Sequence, residues 1–85
     1  MAGPPPNPEL ARIIGERLSL LIERDGQTRA GVGHDLRIGY SQIHAWASGR
    51  ITPGTPYVVI LADYFNVSTD YLLGRSDSAK PPRAR

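Results

Sequence analysis

The stretch from Gly39 to Arg50, GYSQIHAWASGR, holds the side chains with the greatest capacity for chemistry. Ser41 and His44 are three positions apart, a spacing at which a helix brings a hydroxyl and an imidazole together, as nucleophilic catalysis requires. No carboxylate lies within the stretch to orient the histidine, and so short a chain is not expected to build a cleft around the pair. The sequence therefore predicts that the protein is not an enzyme.

Metal binding is the second chemistry that the sequence could support. The chain has no cysteine and two histidines, His34 and His44. A site built on them would need further ligands from Asp35 or elsewhere, and their spacing matches no established metal motif. We therefore expect neither a metal ion nor another cofactor.

Length, composition and charge narrow the class of protein. With 85 residues the chain can bury one small core, and without cysteine that core depends on apolar packing alone. The longest apolar runs are far shorter than the ~18 residues of a membrane span, and the N-terminus lacks the apolar stretch of a signal peptide. A cytoplasmic protein without a membrane partner is expected. The net charge of +2 gives only weak support for a polyanionic partner.

The elements that must position these side chains are predicted to be helices. Segments 1–7 and 76–85 are rich in Pro, Ala, Ser and Arg and are expected to be a disordered arm and a disordered basic tail, leaving 8–75 to fold. Asn7 and Pro8 form a cap and first-turn pair, and apolar residues then recur at helical spacing until Gly26. A first helix over 8–25 follows.

Four shorter helices are predicted after it. The second helix covers 29–36 with Thr28 as its cap, and the third covers 40–48 with Ile43 and Trp46 pointing inward. The fourth begins at the cap and first-turn pair Thr55 and Pro56 and ends at about residue 66, and its apolar face consists of Val58, Val59, Leu61, Ala62 and Phe65. Ser68 caps a last short helix. Gly33, inside the second helix, suggests a close backbone approach. No segment alternates as a strand would, so the fold class is all-α.

The order of these elements resembles a known family. Two short helices joined by a tight turn, then GRITP at 49–53 and the closing LADYFNVSTDYLLGRSD at 61–77, resemble the helix-turn-helix domain of Cro and the phage repressors, the XRE family. The resemblance covers about residues 10–77 and includes IGERL at 14–18 and Trp46. It implies a compact five-helix domain of the lambda-repressor-like type, with the helix-turn-helix in helices 2 and 3.

Several positions depart from the family's pattern. Arg29 stands where the family has a glutamine that reaches the DNA backbone, and Gly33 takes the place of the alanine where the two helices cross. Arg37 replaces the glycine of the turn, and Gly39 replaces the serine that usually caps the recognition helix. The basic residue at position 29 keeps the backbone-contacting role.

The resemblance implies that the outer side of helix 3 enters the major groove of double-stranded DNA. A polar helix face in an arbitrary protein is usually only solvated, and the family pattern favours the DNA reading here. The residues expected to face bases are Tyr40, Ser41, His44 and Ala45. Those expected to contact phosphates are Thr28, Arg29, Gln42, Ser48 and Arg50.

Two functions remain open. The first is a sequence-specific transcriptional regulator, expected to be a repressor that binds an inverted repeat as a homodimer, since one such helix buries too little surface for high specificity. By resemblance, its dimer interface is predicted to involve Tyr64, Tyr71, Leu72 and Leu73. The alternative is an antitoxin or adaptor whose main partner is another protein, with DNA binding secondary or lost.

Overall fold

The computed structural model describes residues 7–80, which form five helices and no strand. The helices are α1 (Pro8–Arg24), α2 (Arg29–Leu36), α3 (Tyr40–Ala47), α4 (Thr55–Phe65) and α5 (Thr69–Leu72). The predicted all-α class is confirmed. The predicted disorder of 1–6 and of 81–85 lies outside the described residues.

Side-chain caps begin three of the helices as predicted. Asn7, Thr28 and Ser68 each accept a hydrogen bond from the backbone N–H three residues later, at 3.0, 2.9 and 3.0 Å. Each bond satisfies one of the backbone donors that a helix N-terminus leaves without an intrahelical partner. The sequence therefore determines where α1, α2 and α5 begin.

The predicted cap of α4 is wrong. Gly54 is the N-cap, Thr55 is already helical, and no side chain caps the first turn. The carbonyl of Gly54 accepts from the N–H of Tyr57 at 2.9 Å, which draws residue 55 into the first turn. Pro56 is still tolerated at the second helical position, because backbone N–H groups of the first turn have no intrahelical acceptor.

The core lies where α1 packs against α3 and where α5 packs against α1 and α4. Trp46 is 3 % exposed, which confirms it as a core residue. The largest side chains that are fully buried come from all five helices: Ile14, Leu18, Leu21, Val32, Ile43, Leu61, Phe65 and Leu72. Burial of this kind stabilises by about 1.5–3 kcal/mol for each large apolar side chain.

Helices α1 and α3 meet at a glycine contact. A Cβ on Gly15 would lie 2.7 Å from the backbone N of Gly49 and 3.0 Å from the carbonyl oxygen of Trp46. Gly49 itself has φ +79°, in the left-handed region that favours glycine. The two glycines therefore allow the backbones of α1 and of the segment that ends α3 to touch.

Polar contacts join α2 to α4. The hydroxyl of Tyr64 donates to Oδ2 of Asp35 at 2.5 Å, and Nε2 of Gln27 donates to the Tyr64 oxygen at 3.0 Å. The hydrogen bond to the Asp35 carboxylate, with partial burial and the nearby negative charge, raises the pKa of Tyr64 to about 12.

The chain after α5 returns to α1. The guanidinium carbon of Arg17 lies 4.2 Å from the ring centroid of Tyr71, and its N–H groups donate to the carbonyl of Ser76 and the carboxylate of Asp77, each at 3.2 Å. Residue 74 packs closely as well, because a Cβ on Gly74 would lie within contact of Ile13. These contacts hold the segment from 74 to 77 on the surface of α1.

The outer face of α4 is more apolar than the sequence suggests. Val59, predicted to point inward, is 44 % exposed, and its neighbours Ile60 and Tyr57 are 40 % and 38 % exposed. The helix buries Val58, Leu61, Ala62 and Phe65, which lie on one side at helical spacing, so Val59 falls beyond the edge of that side. Among residues 7–80, no helix has the length and apolar character needed to cross a membrane.

Candidate nucleic-acid interface

The turn between α2 and α3 is made by Arg37, Ile38 and Gly39. Arg37 ends α2 in the left-handed conformation, with φ 58° and ψ 42°. The N–H of Ile38 then donates to the carbonyl of Gly33 at 2.9 Å, and a Cβ on Gly33 would lie 2.6 Å from the Ile38 carbonyl oxygen. The predicted close backbone approach at Gly33 is confirmed, and the contact fixes how α3 leaves α2.

Helix α3 has one buried side and one polar side. Ile43, Trp46 and Ala47 are at most 5 % exposed and belong to the core. The side chains that reach solvent are Tyr40, Ser41, Gln42 and Ser48, with His44 half-buried between them. We call these five residues the polar strip. Its members are the ones that could contact a ligand lying along the helix.

Ala45 was expected on the same side, with its methyl against a base. It is only 8 % exposed. The chain after α3 turns back at this point, since the N–H of Arg50 donates to the Ala45 carbonyl at 3.0 Å. Little of the Ala45 methyl group is exposed to a partner, so Ala45 is not part of the candidate interface.

Arg29 and His44 are in direct contact, which the sequence did not indicate. Nη1 of Arg29 lies 2.8 Å from Nδ1 of His44. The imidazole also stacks on the ring of Tyr40, with centroids 5.7 Å apart and planes 24° from parallel. Arg29 therefore contacts one edge of the imidazole, and Tyr40 contacts one of its faces. The two partners of the Arg29 contact are 15 positions apart, so only the packing of α2 on α3 brings them together.

The other predicted phosphate ligands differ in whether their side-chain hydrogen-bonding groups are already occupied within the protein. Oγ1 of Thr28 accepts the capping bond of α2, so its hydroxyl proton remains available to an acceptor. The Ser48 hydroxyl donates to the His44 carbonyl at 2.7 Å and would have to rotate before it could contact a phosphate. Gln42 and Arg50 are exposed and make no side-chain hydrogen bond to any residue between 7 and 80.

The chain on either side of α3 is basic, although Glu16 and Glu23 of α1 lie near Ser48 at its C-terminal end. Between Asp35 and Asp63 the sequence contains no Asp or Glu, and Arg37 and Arg50 lie within that interval. Arg29 approaches from α2, and the Asp35 carboxylate accepts from Tyr64 on α4. The surface that carries the polar strip is therefore suited to an anionic partner.

The predicted dimer residues lie mostly within the fold. Leu72 is fully buried at 0 % exposure, so it is removed from the predicted interface. Tyr64 and Tyr71 are half-buried, the first bonded to Asp35 and the second beneath Arg17. Leu73 is half-buried and packs against the core. The short α5 contacts both α1 and α4, and this packing places Leu72 in the core.

The side chains of Ser41 and His44 do not form a hydroxyl–imidazole pair. Nδ1 of His44 faces Arg29, and Ser41 makes no side-chain hydrogen bond within residues 7–80. In the part of the chain that the structure covers, no three His, Cys, Asp or Glu side chains are grouped so as to hold a metal ion.

Comparison with known proteins finds a similar protein that is named as a transcriptional regulator. A scan against protein-family models finds no match. Among curated proteins, the chain is similar to the HTH-type transcriptional regulator ImmR of Bacillus subtilis (strain 168), with 31 % identity over 67 residues. These residues make up 79 % of this chain and 53 % of the relative, so the chain spans about half the length of that protein.

Proposed function

We propose that this chain is a helix-turn-helix protein of the Cro and phage-repressor type, which binds double-stranded DNA and regulates transcription. The observation that carries the proposal is the polar strip on α3. It projects from a helix packed on α2 through a tight turn, and Arg29 and Arg50 flank it. The similarity to a transcriptional regulator supports the same function.

In this proposal α3 lies in the major groove, which admits one helix and displays a distinct pattern of hydrogen-bond groups for each base pair. Tyr40 and Ser41 begin the helix and, with His44, face the base edges. Thr28, Arg29, Gln42 and Arg50 lie beside the phosphates, with Ser48 as a further ligand once its hydroxyl turns outward. Phosphate contacts hold the protein in register, and base contacts select the sequence.

We further propose that the protein acts as a homodimeric repressor on an inverted repeat. One helix in one groove reads only a few base pairs, and a two-fold dimer doubles that number. The exposed residues Val59 and Ile60 of α4 supply apolar surface for a second copy of the chain, beside the half-buried Tyr64. A dimer bound across a promoter would block access to it.

Selection of bound sites from a pool of random duplexes tests the function. The purified protein should enrich an inverted repeat whose half-sites are about one helical turn apart. Ser41→Glu should abolish the enrichment, because it places a carboxylate on the exposed start of α3 against the anionic groove. His34→Glu is the matched control, since that side chain is 91 % exposed on α2 and lies outside the polar strip.

The experiment can reject DNA binding through α3 and dimerisation independently of each other. Enrichment of a single half-site would retain the DNA-binding function and reject the dimer. Enrichment that survives Ser41→Glu would reject the docking of α3. A pool without any enriched sequence would reject sequence-specific binding and favour the antitoxin or adaptor alternative, in which a protein partner covers the apolar surface of α4.

A further inference from the structure

We infer that Arg29 is a specificity-determining residue as well as a phosphate ligand, because it fixes His44 as a hydrogen-bond donor that reads guanine. The inference rests on the proposed docking of α3 in the major groove. It assigns one base of each half-site by its chemistry.

The contact between Arg29 and His44 determines where the imidazole proton lies. A guanidinium carries only donors and stays protonated in proteins. With Nη1 of Arg29 at 2.8 Å from Nδ1 of His44, the nitrogen Nδ1 must be the acceptor and carry no proton. In the neutral ring the single N–H is then at Nε2, which is a donor and cannot accept.

The donor Nε2 reaches the surface. Within residues 7–80, Nδ1 is the only ring nitrogen of His44 with a hydrogen-bond partner, and no buried side-chain nitrogen or oxygen lacks one. Because His44 is half-buried and Nε2 has no partner, Nε2 must be accessible to solvent or to a ligand. The Tyr40 ring on one face and Arg29 on one edge restrict the direction in which this N–H points.

A fixed N–H donor distinguishes bases in the major groove. Guanine presents two neighbouring acceptors there, N7 and O6, whereas cytosine presents only its amino donor. Adenine places an amino donor beside its N7, and thymine places a methyl beside its O4. The adjacent positive charge of Arg29 further favours guanine, whose major-groove edge is the richest in acceptors. Guanine is therefore the base that this donor and the adjacent charge favour most, and we assign it to the position facing His44.

The remaining N–H groups of Arg29 make no hydrogen bond within residues 7–80, so they are available to a DNA phosphate in the proposed complex. Arg29 thus contacts a phosphate and orients His44 at the same time. Arg50 offers a matched comparison, because it is an exposed arginine beside the same helix and makes no side-chain hydrogen bond to residues 7–80. A residue that only holds the backbone should behave like Arg50.

The proton position is tested on the free protein. Long-range proton–nitrogen correlation NMR at a pH where His44 is neutral should show a proton on Nε2 and none on Nδ1. A proton on Nδ1 would overturn the inference. This measurement uses no DNA, so its result is independent of the proposed function.

The base assignment is tested on the site that the unmodified protein selects. Replacing one guanine of each half-site with 7-deazaguanine, which lacks the N7 acceptor, should lower the affinity of the unmodified protein by about tenfold at the position facing His44. The His44→Ala variant should lose this difference. If no guanine shows the loss and replacing each guanine with adenine, which removes the O6 acceptor, is also tolerated, or if His44→Ala keeps the difference, the inference is rejected while site selection still supports the function.

Arginine variants complete the test. Arg29→Ala should weaken binding to all duplexes and also reduce the preference for guanine at the His44 position by about tenfold. Arg50→Ala should weaken all duplexes and leave that preference unchanged. Equal behaviour of the two variants would make Arg29 a phosphate ligand only and overturn its orienting role.

Discussion

At the scale of single residues, the turn between α2 and α3 places an arginine where glycine is the easier choice. Arg37 has φ 58° and ψ 42°, and Asn66, which ends α4, has nearly the same backbone angles, 58° and 48°. Asparagine tolerates this left-handed region better than arginine does, because its short polar side chain can bond locally. The same geometry is therefore more costly at residue 37.

Replacing Arg37 with glycine should stabilise the fold. The left-handed conformation costs a side-chain-bearing residue roughly 1–2 kcal/mol, and the greater freedom of glycine in the unfolded chain offsets part of that gain. We expect a net increase of about 0.5–1 kcal/mol in the free energy of unfolding, measured by urea denaturation. Asn66→Gly is the control and should give no gain. A loss of stability for Arg37→Gly would contradict the account.

Ser41 and Arg50 should differ in how they affect DNA binding. If Ser41 contacts a base, Ser41→Ala should cost about 1–3 kcal/mol on the preferred site and much less on random duplex. If Arg50 contacts a phosphate, Arg50→Ala should weaken both duplexes alike and reduce the slope of log affinity against log salt by about 1 for each half-site.

Titration of both variants against the two duplexes at several salt concentrations separates these effects. The ratio of specific to random affinity should fall only for Ser41→Ala. An unchanged ratio for Ser41→Ala would place the base contacts elsewhere on α3, and an unchanged salt slope for Arg50→Ala would remove Arg50 from the interface.

At the scale of helices, substitutions at Gly15 and at Gly39 should have opposite effects on the stability of the fold. Gly15→Ala would place a Cβ 2.7 Å from the Gly49 backbone nitrogen, where neither backbone can yield, and should destabilise the fold by about 1–3 kcal/mol. Gly39→Ser meets nothing within 4 Å of its Cβ and would add a side-chain cap to α3, which should stabilise by about 0.5–1 kcal/mol. Thermal melts of the two variants decide this prediction, and a stable Gly15→Ala would refute the close contact.

The bond between α2 and α4 predicts a loss of stability at high pH. Because the folded protein raises the pKa of Tyr64 to about 12, above its ordinary value of 10.0, it favours the protonated phenol. The stabilisation is complete below pH 10 and should decrease as the pH rises through 12. Unfolding free energies measured between pH 9 and 12 should fall more steeply for the unmodified protein than for Tyr64→Phe. Parallel curves would show that the bond contributes nothing.

Local sequence patterns were sufficient to predict the helices, whereas the contacts between side chains of different helices depend on how the helices pack. Asn7, Thr28 and Ser68 act on backbone groups three residues away, so their sequence context was sufficient to predict three helix starts. The contact of Arg29 with His44 depends on how two helices meet, which no local pattern contains. The burial of Leu72 likewise depends on the position of α5 against the rest of the core.

At the scale of the whole molecule, the outer face of α4 carries three exposed large apolar residues, Tyr57, Val59 and Ile60. Val59 and Ile60 are adjacent, and both are at least 40 % exposed. Scattered exposed apolar residues are normal in small proteins, but Tyr57, Val59 and Ile60 lie within about one turn of α4 and together make a candidate contact surface. The face therefore replaces α5 as the proposed site of self-association.

Charges on that face should abolish self-association. Val59→Glu together with Ile60→Glu should convert the proposed dimer to a monomer and retain the fold, because both side chains lie outside the core. Leu20→Glu is the control, since Leu20 is 55 % exposed on α1 and should leave the mass unchanged. Sedimentation equilibrium gives the mass, and a folded double variant that remains dimeric would place the interface elsewhere.

The position of Trp46 has a spectroscopic consequence. It is the chain's single tryptophan, is 3 % exposed, and lies with its ring 5.2 Å from the ring of Tyr57. Its emission should be blue-shifted in the folded protein, should be excited through the neighbouring tyrosine, and should shift to the red when α3 separates from α4. Because the indole lies on the buried side of α3, a ligand bound along the polar strip should leave this emission almost unchanged. Intrinsic fluorescence can therefore follow unfolding of the protein even within the proposed complex with DNA.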